Sequence, residues 1–193
     1  MVERVTDTDP FLVLVSTILS LRTRDELTEV KSRDLWKHAR TPVGMIRLGP
    51  DRIARIIYPV GFYRRKAEQI VSISRILIEK HEGRVPSAID DLLSLPGVGR
   101  KTANLVRSVG HGKPGICVDT HVHRIMNRWG YVRTRHPDET EQALRGKLPR
   151  RHWMEVNGLL VFFGKTVCQP VSPLCSTCPL EPACPAIGVT RHR

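Results

Sequence analysis

Apolar residues along this chain recur three and four positions apart, the spacing that lays one stripe down a helix. Strand signals are poor throughout, so the pattern predicts an all-helical protein. Asp9-Pro10 opens an apolar helix from Phe11 to Ser20, and Thr23-Arg24-Asp25-Glu26 has the form of a capping box for a second helix reaching about Ala39. Thr41-Pro42 starts a third, and Pro50-Asp51 a fourth that ends before Pro59-Val60-Gly61. From Arg64 to His81, the residues Ala67, Ile70, Val71, Leu77 and Ile78 make one apolar face. Pro86-Ser87 starts another helix, with Asp90 in capping-box position after Ser87, and a further helical stretch runs from Lys101 to Val109. His111-Gly112-Lys113-Pro114-Gly115 reads as a crossover. Helices near 119–129, 138–147 and 151–165 follow it, then a tail rich in proline and cysteine.

At 193 residues the chain has enough length for one large domain or two small ones. No stretch approaches the ~20 apolar residues of a membrane span, and Met1-Val2-Glu3-Arg4 lacks a secretory pattern. A soluble, cytoplasmic protein with no membrane role is therefore expected. The formal net charge of +12 changes the picture further. It favours a polyanionic partner, because each neutralised phosphate releases counterions. An arginine-rich protein of another kind fits the charge as well.

Two stretches carry candidate chemistry. The first is Leu95-Pro96-Gly97-Val98-Gly99-Arg100-Lys101-Thr102-Ala103, followed by Val118-Asp119-Thr120-His121. Proline and paired glycines cannot sit comfortably inside a helix, so this reads as helix, tight hairpin, helix. Gly97 and Gly99 permit positive φ and leave no side chain over the turn, so backbone N–H groups at the next helix start can approach a phosphate. A mere connector between helices has the same outline. No Gly-x-x-x-x-Gly-Lys-Ser/Thr loop is present. Lys101 stands at a helix N-terminus, where the helix dipole repels a cation and favours the free amine as a nucleophile. Asp119 is placed to cap the helix beginning at Thr120.

The second stretch is Cys168, Cys175, Cys178 and Cys184, spaced Cys-x6-Cys-x2-Cys-x5-Cys with five prolines between and beside them. Disulfides do not suit a cytosolic protein. Structural zinc usually takes two short Cys pairs, and only one is present, while a [4Fe–4S] cluster tolerates unequal spacings. The spacing leaves both open. Cys117 lies in an apolar Ile116-Cys117-Val118 run and reads as a core residue.

Together, the hairpin run, Val-Asp-Thr-His and the four cysteines resemble the endonuclease III family of DNA glycosylases, over nearly the entire chain. The resemblance implies a contiguous six-helix domain over residues 10–113 that holds the hairpin. It implies a helical iron–sulfur domain over 114–193, joined by 1–9, with the active site in the cleft. An N-terminal helix that usually completes the second domain is expected to be short or missing. The cysteines would hold a [4Fe–4S] cluster of structural role, clamping a tail too proline-rich to fold by core burial.

By the same resemblance Lys101 is the nucleophile and forms a Schiff base, and Asp119 activates it and stabilises charge on the sugar. Gly97, Val98, Gly99 and Arg100 would contact the DNA backbone, with His121 lining the site. His123 has no assigned role. Arg22 and Phe62 sit in the turns that insert into the duplex, where well-known members have glutamine and leucine. Arg64, Arg65, Lys66, Arg100, Arg150 and Arg151 are phosphate-contact candidates; the loop Gln169 to Leu174 has no cation. The implied activity is removal of oxidised pyrimidines and β-elimination 3′ to the abasic site. The implied partner is double-stranded DNA with a damaged base or abasic site, bound by a monomer of prokaryotic, nucleoid-associated type. A monofunctional adenine-removing relative would carry a glutamate where Thr17 stands, and one removing mismatched thymine would lack the lysine. A non-catalytic hairpin module would need neither Lys101 nor Asp119.

Overall fold

In the computed structural model, residues 8–193 are described, and among them there are nine α-helices and no strand. The expectation about an N-terminal helix falls on residues outside the described ones. The described residues divide into two compact units, one ending at Lys113 and the other running from Pro114 to Arg193.

The first unit is built around α1, Pro10–Ser20, whose residues Phe11 to Leu19 are all buried. Its start is local chemistry: Asp9 Oδ1 accepts from the N–H of Phe11 (2.8 Å) and of Leu12 (3.1 Å), with Pro10 at the first helical position. A helix apolar on every side needs neighbours on every side. They are α2 (Asp25–Trp36), α4 (Tyr63–His81) and α6 (Arg100–Leu105) with the π-helical turn Val106–Gly110 that continues it. Helix α3, Pro42–Ile57, breaks at Gly49 (φ 70°), so Pro50 opens a new helical run as its sequence suggests, and α3 packs along α4. On α4 the apolar face differs in one place. Ile78 is exposed and Ile73 is buried instead.

Neither expected capping box forms. Helix α2 begins at Asp25 with no side-chain cap, because Thr23 Oγ1 accepts from the distant Gly61 N–H at 3.2 Å. It ends at Trp36, three residues short of Ala39. Helix α5 begins at Ile89, and Ser87 Oγ accepts from Lys113 Nζ at 2.6 Å rather than capping.

The second unit has its own core of Ile116, Val118, Val122, Ile125, Leu144 and Leu160. Helix α7, Thr120–Arg128, packs against α8, Pro137–Lys147, and α9, Val156–Thr166. Cys117 is buried, as its apolar neighbours require. Beyond α9 the chain makes only two 3-10 turns, Cys175–Thr177 and Glu181–Ala183. Among the described residues no helix is long and apolar enough to cross a membrane.

Candidate functional site

Between α5 and α6 the chain turns through Leu95 to Gly99. The Val98 N–H closes the turn on Leu95 O at 3.1 Å, and Gly97 adopts φ 70°. Gln69 Nε2 donates to Pro96 O at 2.8 Å, so close that a Cβ on Gly97 would stand 2.5 Å from it. The positive φ favours glycine there, and a Cβ would push the Gln69 amide away from Pro96 O. Gly99 is different: its φ is −91°, which any residue adopts, and no atom lies within 4 Å of where its Cβ would be. Its use is an uncovered backbone at the start of α6. The Val98 side chain is buried in the core, which anchors the hairpin and leaves only its backbone near the surface. Arg100 and the exposed Lys101 occupy the first turn of α6.

Arg22 and Phe62 are brought together, though 40 residues separate them in sequence. Both are exposed, and the Arg22 guanidinium carbon lies 5.6 Å from the centre of the Phe62 ring. Both also hold left-handed backbone, φ 53° and 58°. For residues with a Cβ this is uncommon and costs about 1 kcal/mol or more. Arg64 and Arg65 are exposed nearby in the chain on α4, but Lys66 is not. It is 5% exposed, which removes it from the phosphate-contacting cations. Burial lowers its amine from 10.5 to about 8.

Asp119 caps α7 as its position predicts. Oδ1 accepts from the N–H of His121 (2.8 Å) and of Val122 (3.0 Å). His121 Nδ1 lies 3.1 Å from Arg124 Nη2, and both pack against Gly164 of α9. His123 bonds Thr140 Oγ1 of α8 at 2.7 Å, which gives it a structural place. Two residues that sequence reading missed are Arg124 and Arg128. Arg124 Nη2 donates to Cys168 O at 2.8 Å and Gly164 O at 3.3 Å. Arg128 donates to Gln169 O (2.7 Å), Pro170 O (2.6 Å) and Cys168 Sγ (3.4 Å). The available signal was an arginine pair at i, i+4, one helical face, just after the aspartate.

Cys168, Cys175, Cys178 and Cys184 line one cavity of about 110 Å³ together with Arg128, Trp129 and Phe163. Among the described residues no group of three or more His, Cys, Asp or Glu is arranged to hold a metal ion. Burial pushes the Cys175 thiol up, and so do the thiols of Cys168, Cys178 and Cys184 beside it. A cationic group bound among them would offset that rise and favour the Cys175 thiolate. Four cysteines lining one cavity are the donor set that a thiolate-held cluster takes.

An all-helical chain with a glycine hairpin at the head of a short helix, and an aspartate-capped helix tied to a cysteine loop, is a helix-hairpin-helix protein by architecture. Residues 15–150 match the HhH-GPD superfamily base excision DNA repair protein. The chain is 54% identical to endonuclease III of Thermotoga maritima over 178 residues, 92% of this chain and 84% of that one. It is 42% identical over 185 residues to endonuclease III homolog 1, chloroplastic, of Arabidopsis thaliana, covering 91% of this chain and 49% of that longer protein. It superimposes on a trapped endonuclease III–DNA covalent intermediate with a TM-score of 0.85 at 38% identity, over 91% of this chain and 83% of that one. The chain belongs to the endonuclease III family of this superfamily, and it is a base-excision-repair DNA glycosylase and AP lyase.

Proposed function

We propose that this glycosylase removes oxidised pyrimidines from double-stranded DNA and cuts the strand 3′ to the resulting abasic site through a Schiff base on Lys101. The observation that carries this reading is Lys101 itself, an exposed amine in the first turn of α6 beside the open backbone of Gly99. Its nitrogen lone pair attacks C1′, and the glycosidic bond breaks with its electron pair leaving on the base, which takes up a proton. The sugar ring opens to the iminium. Loss of a C2′ proton then expels the 3′ phosphate, and water releases the lysine. Asp119 uses Oδ1 for the cap, and its negative charge favours the oxocarbenium-like sugar as the base departs.

Phosphates are held by backbone N–H groups of the hairpin at Gly97 and Gly99, with Val98 between them anchoring the turn, by Arg100, and by Arg64, Arg65, Arg150 and Arg151, with His121 lining the site. Arg22 and Phe62 fill the space a flipped nucleotide leaves. Cys168, Cys175, Cys178 and Cys184 hold a [4Fe–4S] cluster, which clamps the tail when bound. Thr17, where an adenine-removing relative would carry a glutamate, is buried and spends its hydroxyl on Val13 O at 2.7 Å. The protein acts as a monomer.

Borohydride reduction tests the reading. A trapped protein–DNA adduct should form on a duplex with an oxidised pyrimidine or abasic site, and Lys101→Gln should abolish it while duplex binding persists. An adduct of wild-type yield from Lys101→Gln would move the nucleophile elsewhere.

A further inference from the structure

Lys66 is a buried cation that the chemistry above does not use. It lies four residues after Phe62, and its own N–H bonds Phe62 O at 3.0 Å. Its side chain reaches across to the turn that follows α1. Nζ donates to Leu19 O (2.9 Å), Leu21 O (2.6 Å) and Thr23 Oγ1 (3.1 Å), the last two flanking Arg22. An ammonium has three N–H groups, and three oxygens receive them.

Two features explain a cation in so dry a place. Carbonyls at a helix C-terminus lack intrahelical partners and carry the negative end of the dipole, and α1 has no basic residue in its own last turn. Lys66 supplies that charge from α4. An apolar side chain of the same length would leave those carbonyls buried and unsatisfied. The same contact joins two loops. Thr23 Oγ1 accepts from both Lys66 and the Gly61 N–H (3.2 Å), and a Cβ on Gly61 would stand 2.6 Å from Arg22 O. Arg22 and Phe62 therefore project from backbones in direct contact, each in a left-handed conformation set by its loop.

We propose that Lys66, with Thr23, is the positioning residue that locks residues 21–24 and 58–62 into one body, so that Arg22 and Phe62 enter the duplex as a single wedge. The inference rests on the reading of Arg22 and Phe62 as the inserting pair. It assigns Lys66 to holding the wedge, not to phosphate.

The test compares single-turnover excision from a fully paired lesion duplex with borohydride trapping on single-stranded abasic DNA, where nothing must be flipped. Lys66→Met and Thr23→Val should slow duplex excision on the order of tenfold, as expected when part of one base-stacking contact is lost. Both should leave single-strand trapping at the wild-type level, and Thr23→Ser, which keeps the acceptor, should restore duplex excision. If Lys66→Met does not fold, Thr23→Val decides alone, since it removes one acceptor of three. Folded Lys66→Met or Thr23→Val excising from duplex at the wild-type rate, while Phe62→Ala is slow, would overturn the clamp and leave the wedge standing. Wild-type duplex rates in both Phe62→Ala and Arg22→Ala would remove the wedge, and the clamp with it. Equal losses on single strand and duplex would also overturn the proposal, by placing Lys66 and Thr23 in folding or chemistry.

Discussion

Asp119 serves two demands with one carboxylate, and they separate cleanly. Asparagine caps a helix about as well as aspartate does, so Asp119→Asn should keep Oδ1 accepting from His121 and Val122 and melt within about 1 kcal/mol of wild type. Removing the charge takes away what favours a cationic sugar, and excision should fall by about 10²–10³. Thermal unfolding beside single-turnover kinetics reads both effects. A fully active Asp119→Asn would leave the aspartate as a cap only. The cap was legible beforehand because its bonds span two and three residues, within the reach of local rules. Gly97 was legible as a turn residue for the same reason. Gly99 was legible in part: the turn is uncovered there as expected, but its φ of −91° is not the positive one that its sequence allowed.

Helices α7 and α9 touch through a glycine, and their packing holds the residues next to Asp119. A Cβ on Gly164 would stand 2.4 Å from His121 Nδ1 and 2.9 Å from Arg124 Nη2. Gly164→Ala should push the imidazole aside and loosen the Arg124 bonds to Gly164 O and Cys168 O. The expected cost is about 1–3 kcal/mol in a denaturant melt, with a loss of excision. Unchanged stability and rate would mean that His121 swings out freely. The join between the α1–α2 and α3–α4 loops makes its own test by pH. Lys66 titrates near 8 in the folded chain and near its ordinary 10.5 once unfolded. Between these values the unfolded chain binds more protons, so stability from this group is lowest below pH 8 and rises toward 10.5. Melts at pH 8 and pH 10 should show that rise in wild type and a smaller one in Lys66→Met. An identical slope in both would place the burial cost on another group.

At the scale of the molecule, the two units differ in what holds them. The first has an apolar helix sheathed by others, whereas the tail after α9 has two 3-10 turns, five prolines and four cysteines around a cavity. So little apolar area cannot order that segment by burial alone. Protein prepared without oxygen and with ample iron should therefore carry about four irons per chain, with broad visible absorption. Cys178→Ser should lower the iron content and unfold the tail at lower temperature, with α1 to α6 still protected in hydrogen exchange. Stoichiometric zinc and no iron in such a preparation would exclude the cluster.

Much was decided by the sequence alone. Helical periodicity, Asp9 and Asp119 as caps, the break before Pro50, the hairpin and the cysteine spacing all act within a few residues, where backbone geometry and side-chain reach leave little choice. Tertiary structure decided wherever one polar group had two possible partners. Thr23 and Ser87 could each have capped a helix, and Gly61 and Lys113 claimed them from 38 and 26 residues away. Lys66 reads as one more surface cation until the orphan carbonyls of α1, 45 and 47 residues back, are laid against it. Arg124 and Arg128 find their partners at the end of α9 and on the cysteine loop, 40 to 44 residues on. A buried donor or acceptor must be satisfied by whatever the fold brings near, and only the folded chain determines what that is.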